Sequence, residues 1–406
     1  MRSKKDFFNG IITGACCMGL IAGLFIAVPS IKNRNSAADN IHKVTQSSEF
    51  NEKYEAICKN IDTYYLNPND VKTEDVSNGL FKGMLESIGD KYAAYYSPED
   101  YKNLLETTQG QYAGIGAYVA VNSKTGDIVI VNPFKGAPAD KAGVKSGDII
   151  ITVAGKSVVG KELSDVTELM KGEAGTDVEV SLIRDGEPID ITITREIVDV
   201  PTVTHELIAE YNIGYIYVSS FDEMTSKQFR EAIDDIENKG ADGLVVDVRN
   251  NGGGVLAAVI DMLDRMLPEG LIMYTENKNG RDNEYYSNAE ESYDKPYAVL
   301  INGYSASASE VFAGAIKDYG YGKIIGTKSY GKGVVQTIFP LNTGDNSAIK
   351  VTTSKYFTPN GTNIDGVGIE PDINVEFDSN QQIRSGDYVI DNQLLEALND
   401  VTSRIK

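Results

Sequence analysis

The sequence predicts a multidomain α/β protein: an N-terminal membrane-anchor helix, a helical module, a β-rich domain with two helices, and a layered α/β core. Three observations lead there. From Gly10 to Val28 nearly every residue is apolar or small, and no charge falls between Asp6 and Lys32. Residues 112–197 read as short apolar runs broken by glycine turns, with helical signals only at Pro138–Ala142 and Asp165–Met170. From Tyr211 onward strands and helices alternate, which argues for a layered sheet with right-handed crossovers.

Taken in order, residues 1–8 form a tail whose Arg2, Lys4 and Lys5 precede the apolar segment at 9–30. At about 1.5 Å per residue that segment matches a hydrocarbon core of about 30 Å, and the basic tail favours a cytoplasmic N-terminus. No A-x-A-like cleavage site follows, so the expectation is an uncleaved, single-pass anchor in the cell membrane, with everything after Ser30 outside the cytoplasm. Residues 31–45 read as a polar tether. In the module at 46–111, Ile57, Ile61, Tyr64 and Tyr65, then Leu80, Phe81, Met84 and Leu85, recur at helical spacing, punctuated by Pro68 and Ser97-Pro98. The domain at 112–197 closes with a hairpin around Asp185-Gly186. The core at 198–375 contains strand 213–218, a helix near 226–238, strand 243–248, a helix near 255–267, strand 297–301, a helix near 308–319 and strand 323–326. Residues 376–406 form a C-terminal segment. It and the helical module are both suited to self-association, so a homodimer is expected.

Composition excludes several classes. The net charge of −21 argues against nucleic-acid binding through a broad basic surface. Cys16 and Cys17 lie in the apolar segment, leaving Cys58 alone, so neither a disulfide framework nor a cysteine zinc site can be built. His205-Glu206-Leu207-Ile208-Ala209 begins like H-E-x-x-H but has alanine in place of the second ligand. No metal site is expected, and with His42 the only other histidine, an imidazole-based hydrolase has little to draw on.

Three segments could carry chemistry. Ser305-Ala306-Ser307-Ala308-Ser309-Glu310 stands where a strand gives way to a helix. Ser307-x-x-Glu310 satisfies a capping box, the bland reading. A serine there also has backbone amides and a positive dipole end nearby, which suits an oxyanion. Gly326 to Gln336 offers lysines in place of histidine. It nearly matches a phosphate loop, but Gly333 replaces the magnesium-holding Ser/Thr, and a strand follows rather than a helix. Lys332, between glycines and before an apolar strand, could project into a dry pocket. A base there would need its pKa lowered by about three units, roughly 4 kcal/mol. Repeated S-x-x-K matches with Lys124-Thr125-Gly126 ahead of them have the wrong order for a penicillin-recognising enzyme. Asp247-Val248-Arg249-Asn250-Asn251-Gly252-Gly253-Gly254 is either a tight β–α turn or an anion nest.

Together these segments resemble the carboxyl-terminal processing (tail-specific) serine peptidases with an embedded PDZ domain. The resemblance runs from about residue 45 to 375. It rests on Tyr112-Ala113-Gly114-Ile115-Gly116, Pro138-Ala139 through Ala142-Gly143 to Gly147-Asp148, the 247–253 run, the serine segment, and Tyr330-Gly331-Lys332-Gly333 with Gln336. It implies a serine-peptidase core with Ser307 as nucleophile, Lys332 as general base and Gln336 orienting the lysine. Ala308 with Gly254, or else Gly253, would supply the oxyanion donors, and no cofactor is implied. The domain at 112–197 would be a circularly permuted PDZ module. Its Gly114, Ile115 and Gly116 would hold a substrate's C-terminal carboxylate, and Val166, Leu169 and Met170 would line the side-chain pocket. Protein or peptide substrates with apolar C-termini follow, with gating of the catalytic groove by the PDZ domain as a further implication. The family commonly has arginine where Lys171 stands, and lysine cannot reproduce its bidentate pairing. The rival from another class is a non-catalytic PDZ scaffold that binds protein C-termini; Ser307, Lys332 and Gln336 together argue against it.

Overall fold

The computed structural model describes residues 36–405 apart from 289, 291, 386 and 387. The tail at 1–8 and the anchor at 9–30 lie outside the described residues. Among those described, no helix is long and apolar enough to cross a membrane. The chain forms two compact units, one of residues up to Pro98 with Gln336–Thr352, the other of Glu99–Val335 with Thr353–Lys406.

In the first unit, helix α1 (Ala37–Thr45) occupies much of the stretch expected to be a tether. Its cause is a capping box: Asp39 N–H donates to the Ser36 hydroxyl at 3.0 Å, and Ser36 N–H donates to the Asp39 carboxylate at 3.1 Å. Helices α2 (Ser48–Tyr64) and α3 (Thr73–Glu86) follow, as the periodicity predicts. No residue of α2 is buried, and Phe50, Tyr54, Ile57 and Ile61 stand exposed. Strand β1 (Ala94–Tyr96) pairs antiparallel with residues 348–350, and the Asp90 carboxylate accepts the Thr352 N–H at 2.7 Å.

The second unit carries the β-rich domain on a ribbon. After helix α4 (Pro98–Gln109), strand β2 (Gln111–Gly114) pairs antiparallel with β9 (Glu196–Asp199), so the domain's entry and exit are stitched together. Between them lie β3 (Ala117–Val121), β4 (Ile128–Pro133), α5 (Pro138–Lys141), β5 (Ile149–Val153), β6 (Lys156–Ser157), α6 (Leu163–Met170), β7 (Asp177–Arg184) and β8 (Glu187–Thr194). The sheet order is β3-β4-β5-β7-β8, which leaves β3 as an edge strand. Asp185 and Gly186 both take positive φ, 53° and 88°, as a two-residue hairpin turn requires.

The core is a six-stranded sheet of β10 (Val203–Ile208), β11 (Ile213–Val218), β12 (Gly243–Asp247), β15 (Tyr297–Ile301), β16 (Gly322–Gly326) and β19 (Ile373–Asn374), in that order. Only β10 runs antiparallel to its neighbour. Every residue of β12 and β15 is buried, as in a parallel sheet covered on both faces. Leu244, Val246, Val299 and Ile301 pack with helices α7 (Thr225–Asn238), α8 (Leu256–Met266) and α9 (Ala308–Tyr319). Val245, Ala298 and Leu300 belong to a separate cluster with α10 (Asn392–Arg404), through Leu394, Ala397, Leu398 and Val401. The C-terminal segment expected to serve self-association thus has its apolar helix face buried within its own chain. A second sheet contains the hairpin β13 (Gly270–Asn277) and β14 (Gly280–Ser287), and β18 (Ala348–Phe357), which pairs with β13 and with β17 (Val334–Pro340).

Asp148 is 1% exposed, and its carboxylate takes two hydrogen bonds at 2.7 Å from Arg184 and one at 2.8 Å from Lys145 N–H. Burial pushes its pKa up, but the Arg184 guanidinium and the Lys145 amide outweigh that and hold it below the usual carboxylate value. A depressed native pKa contributes stability above the unfolded value, lost as pH falls through the native one. Arg184→Ala should destabilise this domain by about 3 kcal/mol. Thermal melts from pH 7 to pH 3 should show the parent–variant gap narrowing at the acid end.

Candidate active site

The glycine turn begins where β12 leaves the sheet. Arg249 fixes its first corner: Nε and Nη2 reach Asp247 at 2.7–3.0 Å, while Nη1 reaches Asp391 at 2.9 Å and Gln393 at 2.8 Å. Asn250 adopts φ 61°, which asparagine tolerates. Asn251 is fully buried; its Nδ2 donates to Val218 O at 2.9 Å, and its Oδ1 accepts Gly253 N–H at 2.9 Å. Glycine is required next. At Gly253 (φ 105°) a Cβ would stand 2.9 Å from Ser307 Cβ and 2.8 Å from Ala306 O, and at Gly254 it would overlap the Phe221 carbonyl.

The serine segment docks on this turn. The Ser305 hydroxyl donates to Val248 O at 2.8 Å, the Ser309 hydroxyl to Asn251 O at 2.8 Å, and Ala306 N–H to Asn251 O at 3.1 Å. Ser305 and Ser309 are fully buried with hydroxyls committed to main-chain carbonyls, whereas Ser307 is half-buried. Ser307 has φ 55° and ψ −112° at the entry to α9. A non-glycine residue held there costs on the order of 1–3 kcal/mol and persists only where its surroundings enforce it. The same kind of strained strand-to-helix turn presents nucleophilic serines in α/β-hydrolases. Ala308 N–H at the helix start and Gly254 N–H have no hydrogen-bond partner among the described residues, while that of Gly253 is taken by Asn251.

Glu310, fully buried, does more than close the helix cap. Its Oε1 accepts the Ser329 hydroxyl at 2.6 Å and Gly331 N–H at 2.7 Å; its Oε2 accepts Ser307 N–H and Lys332 N–H, each at 2.8 Å. The amide nitrogens of Ser307 and Lys332 therefore stand no more than twice that distance apart. Lys332 itself is half-buried, and the glycines beside it are forced: a Cβ on Gly331 would crowd Gly368 N at 3.1 Å, and one on Gly333 would overlap Asp365. Gln336 lies on β17 in the other compact unit, half-buried, with Nε2 3.5 Å from the Thr352 hydroxyl. No group of His, Cys, Asp or Glu suited to a metal ion occurs among the described residues.

A serine on a strained turn thus stands beside a lysine loop, with two nearby amides free of hydrogen-bond partners among the described residues. The family model for peptidase family S41 matches residues 212–375, and a PDZ domain model matches 113–194. The carboxy-terminal processing protease CtpA of Bacillus subtilis (strain 168) is 37% identical over 398 residues, covering 95% of this chain and 82% of that protein. The chain belongs to peptidase family S41. The carboxy-terminal-processing protease of Bartonella bacilliformis is also 37% identical, over 88% of this chain and 81% of that protein. A Bacteroides fragilis NCTC 9343 protein described as an S41 protease shares the fold at a TM-score of 0.50 and 18% identity, over 82% of this chain and 91% of that one.

This S41 chain is a serine-type peptidase with a PDZ domain. In that domain Ile115, Val166 and Met170 are buried in one cluster, with Leu169 partly buried against it, so these side chains pack on one another in the form described. Gly114 ends β2, and Gly116 (φ 74°) takes the turn into edge strand β3. Lys171 pairs with Glu106 at 3.2 Å and Glu168 at 3.1 Å, beside a polar cavity of about 210 Å³ that Tyr112 and Ala113 also line. Arg195, which sequence reasoning did not single out, donates to the carbonyls of Leu169 at 2.9 Å and Met170 at 3.1 Å and so closes the end of α6. Asn251 and Glu310 are the other residues missed as site parts. Glu310 is visible in the sequence only as a helix cap, and apart from Gly253 the side-chain and carbonyl partners of Asn251 lie on other elements.

Gly253→Ala would press a methyl into Ser307 and Ala306. The expected outcome is kcat at least about tenfold lower, since a displacement near 1 Å costs about 10² in rate, together with a lower melting temperature, since alanine is strained at φ 105°. Steady-state kinetics beside a thermal melt checks it.

Proposed function

We propose that this S41 peptidase is a membrane-anchored endopeptidase that acts outside the cytoplasm, cleaving proteins at or near their C-terminal tails through a Ser307/Lys332 dyad. The observation that carries the reading is the shared carboxylate oxygen on which the Ser307 and Lys332 amides meet. Ser307 attacks the scissile carbonyl as Lys332 takes its proton; the lysine returns that proton to the leaving amine, and water releases the acyl group. The amides of Ala308 and Gly254 stabilise the oxyanion, a role worth about 10²–10³ in kcat per donor. Gln336 orients the lysine, and its neighbour Thr352 is in turn held by Asp90 at 3.0 Å.

The PDZ domain selects substrates. An apolar tail adds as a strand to the open edge of β3, its carboxylate facing Gly114–Gly116 and its side chain entering beside Val166, Leu169 and Met170 as α6 and β3 part. That parting couples tail binding to activity, with Lys171 and its carboxylate partners at the moving end. The exposed apolar side chains of α2 support a homodimer built on the helical module, and the apolar run at 9–30 supports the anchor.

The decisive assay uses the chain purified in detergent and an unstructured peptide ending in apolar residues. The parent cleaves it, Ser307→Ala and Lys332→Ala do not, and chelators leave the rate unchanged. Binding of the peptide by all three proteins with cleavage by none would instead identify a scaffold. In light scattering, the parent should run at twice the chain mass, and Ile57→Glu/Ile61→Glu should run as a monomer.

A further inference from the structure

Two buried side chains, neither of which faces the substrate in the chemistry above, each touch both members of the dyad at the main chain. Glu310 receives the two N–H groups on one oxygen. Tyr356, only 2% exposed, brings its hydroxyl to the two carbonyls: 3.0 Å to Ser307 O and 2.5 Å to Lys332 O. The peptide groups of the nucleophile and the base are therefore gripped from both polar ends.

Neither grip is loose. Glu310 stands in the first turn of α9, where its carboxylate faces the helix N-terminus, and its other oxygen is held by Ser329 and Gly331. Tyr356 lies on β18, where its N–H donates to Gly333 O at 3.1 Å and its carbonyl accepts Asn363 Nδ2 at 2.8 Å. The tyrosine ring thus comes from a strand remote in sequence from both turns, and the carboxylate from the first turn of the helix that Ser307 opens. All four donors to the carboxylate are neutral, so it compensates no positive charge among them. What it does is satisfy four donors at one buried point.

We infer that Glu310 and Tyr356 form a clamp that sets the reach between Ser307 and Lys332, both being positioning residues for the peptidase reaction. The inference rests on the dyad reading. Ser307 needs such support because its φ of 55° is one a serine leaves when unsupported. Lys332 needs it because a long, flexible side chain reaches a fixed hydroxyl reproducibly only from a fixed backbone. Removing the hydroxyl of Tyr356 takes a partner from both carbonyls at once; Ser307 O keeps the Glu310 and Val311 N–H groups at 2.8 and 3.0 Å, so the greater loosening falls on Lys332. The lysine then reaches less often, and its ammonium is more open to water.

The test compares Tyr356→Phe and Glu310→Gln with the parent, Ser307→Ala and Lys332→Ala, each as the full chain in detergent, cleaving one peptide from pH 6 to pH 10. For Tyr356→Phe the clamp predicts kcat lower by 10- to 100-fold near pH 7, with KM within twofold of the parent. It also predicts an acid limb displaced to higher pH, because a better-hydrated ammonium holds its proton longer, so the deficit shrinks as pH rises. Glu310→Gln keeps the size but loses acceptor capacity and should show the same pattern, more severely. A merely structural role would lower the melting temperature and leave kcat per folded enzyme and the pH profile unchanged. That result for Tyr356→Phe overturns the clamp, whether or not Glu310→Gln folds. If Lys332→Ala retains the parent kcat, the dyad reading fails and the clamp falls with it. If the dyad variants are inactive while Tyr356→Phe matches the parent, the clamp alone fails.

Discussion

One buried carboxylate organises the catalytic region. An ionised group taken out of water is tolerated only where hydrogen bonds replace its hydration, and Glu310 has four at 2.6–2.8 Å. Three of the four donors are backbone or hydroxyl groups of the segment Ser329–Lys332, and the fourth is the Ser307 amide. The carboxylate can be satisfied only when the lysine loop and the serine turn are both in place, so burial of α9 and assembly of the site are a single event. This links an ordinary helix cap to a strained backbone: the Ser307 amide that donates to Glu310 belongs to the residue at φ 55°.

The sheet explains why that helix is there to be capped. β12 and β15 are buried on both faces, and their C-terminal ends open into the glycine turn and the serine turn, the loops that meet at the site. Ligands of open α/β sheets bind outside the carboxyl ends of the strands. The opposite face is closed by α10, and the Arg249 pairings with Asp391 and Gln393 connect that helix start to the root of the glycine turn. The C-terminal helix thus supports the site from behind the sheet.

Much of this was legible in the sequence. β12, β15 and α9 announce themselves by unbroken apolar runs and helical spacing, and the short strands of the PDZ domain by alternation and by Asp185-Gly186. The three serines illustrate the limit. Their order and spacing do not distinguish Ser305 and Ser309, whose hydroxyls are spent on Val248 O and Asn251 O, from Ser307. The β13–β14 hairpin was not legible because β14 carries Arg281-Asp282-Asn283-Glu284, mostly exposed, with no apolar face to give a period. Helix α1, within the stretch read as a tether, was not visible because a capping box, rather than hydrophobicity, starts it. Tyr356 was out of reach altogether: its partners lie 49 and 24 residues away, and a buried tyrosine on a strand looks like core.

The central claim is that Ser307 forms the covalent intermediate and Lys332 activates it. The most direct measurement is to quench the enzyme during turnover of an activated peptide ester and locate the acyl group by mass spectrometry. The account predicts an acyl group on Ser307 in the parent, and acylation slower by about 10²–10⁴ in Lys332→Ala at pH 7. Acylation at another residue, or an undiminished rate without the lysine, would contradict it.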